Sequence, residues 1–354
     1  MLSHAHILHG SPTHGHSRLH GESTTGDAVQ TNDPSRFSLP SLFRSQAACN
    51  STIHCTTALF LHFSGCGGTT FVRYMKTLPF LFAPTSGVSS PNLNMGCAAG
   101  TGYQALGLAN VKDTRCPCED LWRRAEHYNF WANENVVRAP LDCERVEYWV
   151  VIRHPIERLI SRLFKPGAHG RLHFLQFDEM QAALNRTVVF APSSSRHEFT
   201  GSAALNNWMV RSIAGPDVYR LPLGGVELEH LRRAERQLDR FAIVLPLANM
   251  SLLPAMLFLR YGKCVQALPP DTAQTNGGHS ASSETIRAQK ERALQNGEFM
   301  GSLWWHNALD LRLYESAQRL FHRRLWKGID SLTPSQRRTA AACASLAQAL
   351  AARN

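Results

Sequence analysis

Two short stretches of this chain carry residue types and spacings that could do chemistry. The first is Ser64–Thr70, where Gly65, Gly67 and Gly68 crowd between an apolar run and a segment of helical spacing. Glycines so close together let the backbone curl until successive N–H groups converge. A following helix start adds unpaired N–H groups and a partial positive charge. Such a cup, formed by Gly65, Cys66, Gly67, Gly68, Thr69 and Thr70, suits a phosphate-like anion, with two threonine hydroxyls as further donors. No Gly-Lys-Ser/Thr follows, which weakens a kinase or ATPase reading. The same glycines also suit a tight turn with no ligand, and this segment alone leaves both readings open. The second stretch runs from Arg153 to Ser161. An arginine at the carboxyl end of a strand lies where α/β sheets bind ligands. Its fork and the Ser161 hydroxyl would suit a second phosphate. Alternatively Arg153 pairs with Glu157 and Ser161 faces water.

The elements around these residues follow from hydrophobic spacing. Thr57–Phe63 (TALFLHF) and Val146–Ile152 (VEYWVVI) read as buried strands. Pro155 suits the first turn of a helix whose apolar face is Ile156, Leu159, Ile160, Leu163 and Phe164. Glu119–Trp131 reads as helical at its start. Ala204–Ala214, ended by Gly215, and Val226–Phe241 read as helices, with a short strand at Ala242–Leu247. Asn307 is placed to cap a helix with Asp310 three residues on, its core face being Leu309, Leu313, Ala317, Leu320 and Phe321. Strands alternating with helices predict an α/β fold, a parallel sheet flanked by helices. Residues 265–299 are rich in Gly, Ser, Thr and Gln, show no apolar face over their first half, and read as an exposed, largely disordered insertion. The expected organisation is a disordered His-rich leader over 1–54, one domain over 55–330, and a helical tail over 331–354.

Composition narrows the class. The chain has 354 residues, 44% hydrophobic and 18% charged, which is ordinary for a globular protein. No apolar run approaches the roughly eighteen residues of a membrane-spanning helix. The leader, with six His in its first twenty positions, lacks the cationic start and apolar stretch of a signal peptide. Lys+Arg of 37 against Asp+Glu of 27 leaves +10, and only six of the cations are Lys. Arginine forks favour phosphate, sulfate or carboxylate partners. A nucleic-acid binder would interleave aromatics with a basic stripe, and no such pattern occurs. Nine cysteines fit a few disulfides in a secretory compartment, with pairing not readable from spacing. Cys116 and Cys118 have no second pair to complete a zinc site, so no metal is expected.

Together the two chemical stretches carry a resemblance. FLHFSGCGGTTF (60–71) resembles the 5′-phosphosulfate loop of the Golgi-type carbohydrate sulfotransferases, usually FIHIPKTGGTTF. YWVVIRHPIERLIS (148–161) is similar to their 3′-phosphate segment, usually VLRDPVERFLS, and the heparan sulfate 2-O-sulfotransferase branch is the nearest. NWMVRSIAG (207–215), LRRAERQLDRFAIVLP (231–246) and LDLRLY (309–314) resemble three further segments of that family, in the same order. The resemblance implies a P-loop NTPase-like sulfotransferase fold. It implies transfer of a sulfuryl group from 3′-phosphoadenosine 5′-phosphosulfate to a hydroxyl of a glycan or glycoprotein, less readily to protein tyrosine, without metal. Gly65–Thr70 would hold the 5′ end, and Arg153 with Ser161 the 3′-phosphate. His127, in AEHYNF (125–130), matches the place of the family's catalytic histidine and would take the acceptor proton; Glu126 and Glu134 are substitutes. His62 matches the family's strand histidine and is expected to pack. Asn207 and Arg211, four apart on one helix face, would touch the acceptor or pair with each other. The implied location is the Golgi lumen, with membrane association only through an N-terminal anchor that this chain does not show.

Three departures stand out. The family's loop lysine is Gly65, its preceding proline is Ser64, and the Asp after its Arg is His154. Without the lysine a cation is missing where negative charge grows in the transition state, a loss often worth several kcal/mol. Arg73 or Lys76 would have to substitute. The second reading is therefore a degenerate homologue that binds nucleotide or anionic glycan without turnover.

Overall fold

The computed structural model describes residues 57–63, 65–78, 118, 130–133, 143, 146–164, 205–219, 221–262, 264–265, 282–341 and 343. All of them lie in one unit, Ser45–Asn354. His127, Glu126, Glu134 and Ser64 fall outside the described residues, as does the His-rich leader.

Four parallel strands form the sheet: β1 (Thr57–Leu61), β2 (Phe130–Asn133), β3 (Val146–Ile152) and β4 (Ile243–Pro246), in the order β2-β1-β3-β4. The register pairs Leu59 with Trp131 on one side and with Tyr148 on the other. Central strands β1 and β3 read as largely apolar runs because a parallel sheet is covered on both faces, and the one charge within β3, Glu147, accepts from Arg260 and Tyr261. Phe60 and Trp149 are both wholly buried. The start of Glu119–Trp131, read as helical, lies outside the described residues, and its end, Phe130 and Trp131, belongs to β2. Aromatic residues suit a pleated, half-buried surface as readily as a helix.

The helices are α1 (Gly68–Lys76), α2 (Pro155–Leu163), α3 (Trp208–Ala214), α4 (Pro216–Tyr219), α5 (Leu228–Leu238) and α6 (Leu253–Tyr261). They continue with α7 (Ser282–Gln295), α8 (Gly297–His306), α9 (Ala308–Asp330) and α10 (Pro334–Ala341). One core gathers the sheet with residues of α1, α3, α5, α6 and α9. A second, smaller core joins Ile156, Leu159, Ile160 and Leu163 of α2 to Leu205, Ala293, Phe299 and Leu303. The disordered insertion expected over 265–299 is thus corrected: from Ser282 onward it is helical, and it covers the apolar face of α2. Among the residues of α7 whose burial is described, Ala293 alone joins that core, too little for the spacing to announce a buried face.

Disulfides join Cys118 to Cys143 and Cys264 to Cys343. No helix among the described residues is long and apolar enough to cross a membrane.

Candidate functional site

The strand order places the two chemical stretches side by side. From β1 the chain moves to β2 on one flank, then to β3 on the other, so the order reverses between β1 and β3. Ligands of open α/β sheets bind at the carboxyl ends of the strands beside such a switch point. The glycine turn leaves β1 there, and Arg153 leaves β3 there. Although 88 positions apart in sequence, Arg153 Nη1 donates to the Gly65 carbonyl at 3.3 Å. Its Nε donates to Glu157 Oε2 at 3.2 Å, which is the pairing that the sequence offered as the alternative to a phosphate contact. Ser161 lies two turns along α2, half-buried.

Each glycine of the turn has its own reason. Gly65 and Gly67 take φ of 87° and 74°, left-handed values that side chains rarely adopt. A Cβ at Gly65 would also stand 3.1 Å from the Arg158 carbonyl and 3.2 Å from its Cγ. The lysine that the resemblance expects at this position is therefore disfavoured by both backbone and neighbour. Gly68 opens α1 and is required by packing, because a Cβ there would lie 1.8 Å from Cδ2 of His62. His62 is buried and stacks on Phe60, as a packing residue does. The α1 ladder begins with Phe71 N donating to Gly67 O, so the N–H groups of Gly68 and Thr69 lie ahead of it. The first turn holds no acidic side chain, which keeps this helix end favourable for an anion. Cys66 is wholly buried, and burial pushes its thiol up to about 12 against the pull of Arg158 and Arg153. A protonated thiol is no nucleophile.

Arg158 is the cation that sequence reasoning passed over. It is 1% exposed, reaches over the Trp208 ring at 5.6 Å, and its charge acts on both Cys66 and Asp310. An arginine flanked by the apolar Ile156, Leu159 and Ile160 was the available signal. Tyr314 closes the same region. Burial raises its hydroxyl, as does the charge of Glu157. Arg73 and Lys76, the sequence's candidates to replace the missing lysine, are exposed on α1.

Asn207 and Arg211 are brought together with other groups than those expected. Arg211 is wholly buried; its backbone N–H donates to Asn207 O at 2.9 Å, but its guanidinium bonds other residues. Its Nε donates to Asn206 O at 2.7 Å and its Nη atoms to Leu221 O at 2.6 Å, Pro222 O at 2.8 Å and Asn206 Oδ1 at 2.7 Å. It braces the turn after α4 and offers no donor face to an acceptor. Asn207, at φ 47°, accepts at its Oδ1 from Leu309 N and Asp310 N, both at 3.1 Å, and so caps α9. In return Asp310 accepts from Met209 N at 2.9 Å and Val210 N at 2.8 Å, and Asn307 Oδ1 from Asn207 N at 3.1 Å. The two helix starts cap each other, where the sequence suggested that Asn307 and Asp310 serve their own helix. Burial drives the Asp310 carboxyl up to about 6, against these N–H bonds and the charges of Arg158 and Arg211.

Among the described residues no group of three or more His, Cys, Asp or Glu is placed to hold a metal ion. No protein-family model matches the chain, and no curated protein is significantly similar to it.

Proposed function

We propose that the chain is a sulfotransferase that binds 3′-phosphoadenosine 5′-phosphosulfate across the β1–β3 switch point. The observation that carries this reading is the contact of Arg153 with Gly65, which sets an arginine fork beside a glycine turn at a helix start. The site residues fit such a donor: the turn is kept bare of side chains by its φ values and its neighbours, and two arginines flank it. Bound there, the donor would supply an activated sulfuryl group. The Gly68 and Thr69 N–H groups would hold its 5′ end, while Arg153 and Ser161 would hold its 3′-phosphate. A glycan hydroxyl would attack sulfur in line as the bond to the 5′-phosphate oxygen breaks, and His127 would take the hydroxyl proton. The two disulfides support an oxidising compartment, in keeping with a Golgi-lumen enzyme.

A second reading is favoured by Gly65 itself. If Arg153 and Arg158 do not replace the cation that a lysine would supply, the site binds nucleotide without turnover. Calorimetric titration with adenosine 3′,5′-bisphosphate tests what the readings share. The expected result is micromolar binding, lost in Arg153→Ala with folding intact. Failure of the folded wild-type chain to bind would reduce the loop to a turn. A sulfuryl-transfer assay against glycan acceptors then separates enzyme from degenerate binder.

A further inference from the structure

Helix α8 ends on two consecutive tryptophans that the chain leaves in water. Trp304 is 45% exposed and Trp305 72%, whereas Trp149 of the sheet is wholly buried. Indoles exposed together mark an interaction site more often than single surface apolar residues do. Both are held by edge-on contacts. The Trp304 ring lies 5.4 Å from His154 at 67°, and Trp305 lies 4.9 Å from His306 at 81°. His154 follows Arg153 directly and also meets Tyr314 edge-on at 5.7 Å. The ledge is therefore continuous with the anion site.

The helix surface leading to this ledge is bare. Gly297, Gly301 and Trp305 repeat every four residues, so they share one face. A Cβ at Gly297 or at Gly301 would meet nothing within 4 Å. At Gly301, in the helix interior, glycine lowers stability relative to alanine, and no crowding offsets that cost. The contrast with Gly68, which packing demands, is direct.

We propose that Gly301, Trp304 and Trp305 form an acceptor subsite for a glycan chain. A pyranose ring would lie with its C–H face on an indole, over the bare helix surface, with its hydroxyls in water and its acidic groups toward the arginines. The inference rests on the transferase reading and names where its acceptor lies. A glycan suits the ledge because it is apolar on one ring face and polar elsewhere, and because an acidic chain complements a net charge of +10. A docked amphipathic peptide would need a broader apolar strip. Among the described residues the only other exposed large hydrophobics are Leu228 and Leu294.

The test uses the full chain and three probes: a hexuronate–hexosamine octasaccharide, adenosine 3′,5′-bisphosphate, and inorganic polyphosphate. Trp305→Ala and Gly301→Leu should each weaken octasaccharide binding roughly tenfold. Both should leave the other two probes unaffected. Gly301→Leu should keep or raise the thermal midpoint, so a loss of binding there is not a loss of fold. Unchanged octasaccharide affinity in both variants, or no octasaccharide binding by wild type, overturns the proposal. Weakened bisphosphate binding in the variants overturns it too, assigning the ledge to the nucleotide base. Octasaccharide binding that responds to the variants, in a chain that does not bind bisphosphate, upholds the ledge and sinks the nucleotide site alone.

Discussion

Gly68→Ala tests the packing under the glycine turn. A Cβ at this position would stand 1.8 Å from Cδ2, 2.2 Å from Nε2 and 2.5 Å from Cγ of His62, where ordinary contact begins at 3.4 Å. The ring or the helix must therefore give by about 1.6 Å. Neither has room. His62 is 3% exposed and stacks on Phe60, which stacks in turn on Phe71 of α1 at 4.2 Å. Phe71, Val72 and Met75 fasten α1 to the core with no exposure at all. Overpacking of this kind costs about 3 kcal/mol, a large share of a typical stability of about 5–15 kcal/mol. Helix propensity alone predicts the opposite sign, a gain of up to about 1 kcal/mol from Gly to Ala. Urea unfolding of Gly68→Ala, His62→Ala and the double variant separates the two effects. With the ring removed, the alanine should become neutral or stabilising, giving a coupling of about 2–3 kcal/mol. The displaced helix start should also weaken adenosine 3′,5′-bisphosphate binding. A single variant within about 0.5 kcal/mol of wild type, or an additive cycle, would refute the argument.

Two further outcomes follow from the helix-capping network. Arg211→Ala should destabilise by about 3–5 kcal/mol, because it strips donors from several buried carbonyls at once; chemical denaturation measures this, and a loss below about 1 kcal/mol would remove Arg211 from its bracing role. Asp310 gives a pH signature. Its carboxyl is raised to about 6 in the fold from 3.8, so below 3.8 both states hold the proton and the penalty vanishes. Between those values the folded state alone holds it, and stability falls as pH rises, flattening above 6 after a loss of about 3 kcal/mol. Asp310→Asn should lack this fall. Subtracting its unfolding free energy from that of wild type across pH 4–7.5 should isolate it, and a flat difference would contradict the burial argument.

Local spacing was enough to show much of this protein. The apolar runs at Thr57–Leu61 and Val146–Ile152, the proline opening α2 and the glycines after β1 each state their structure within a few residues, because strand burial, helix starts and left-handed turns are local matters. The α/β class was legible for the same reason. Other features were set by partners far along the chain. The polar segment over 282–295 became a helix that joins the α2 core through Ala293. Asn207 and Asp310 looked like a possible ligand contact and a helix's own cap, yet each caps the other's helix across about a hundred residues of sequence. Arg211 read as an acceptor contact or a partner of Asn207, but the turn after α4 wraps its guanidinium in carbonyls. Arg153 carried two expectations that sequence could not choose between. The structure shows its pairing with Glu157, and strand order brings the end of β3 to the turn that leaves β1, a contact that local spacing could not announce. A side chain's type is local, but which groups it meets depends on topology.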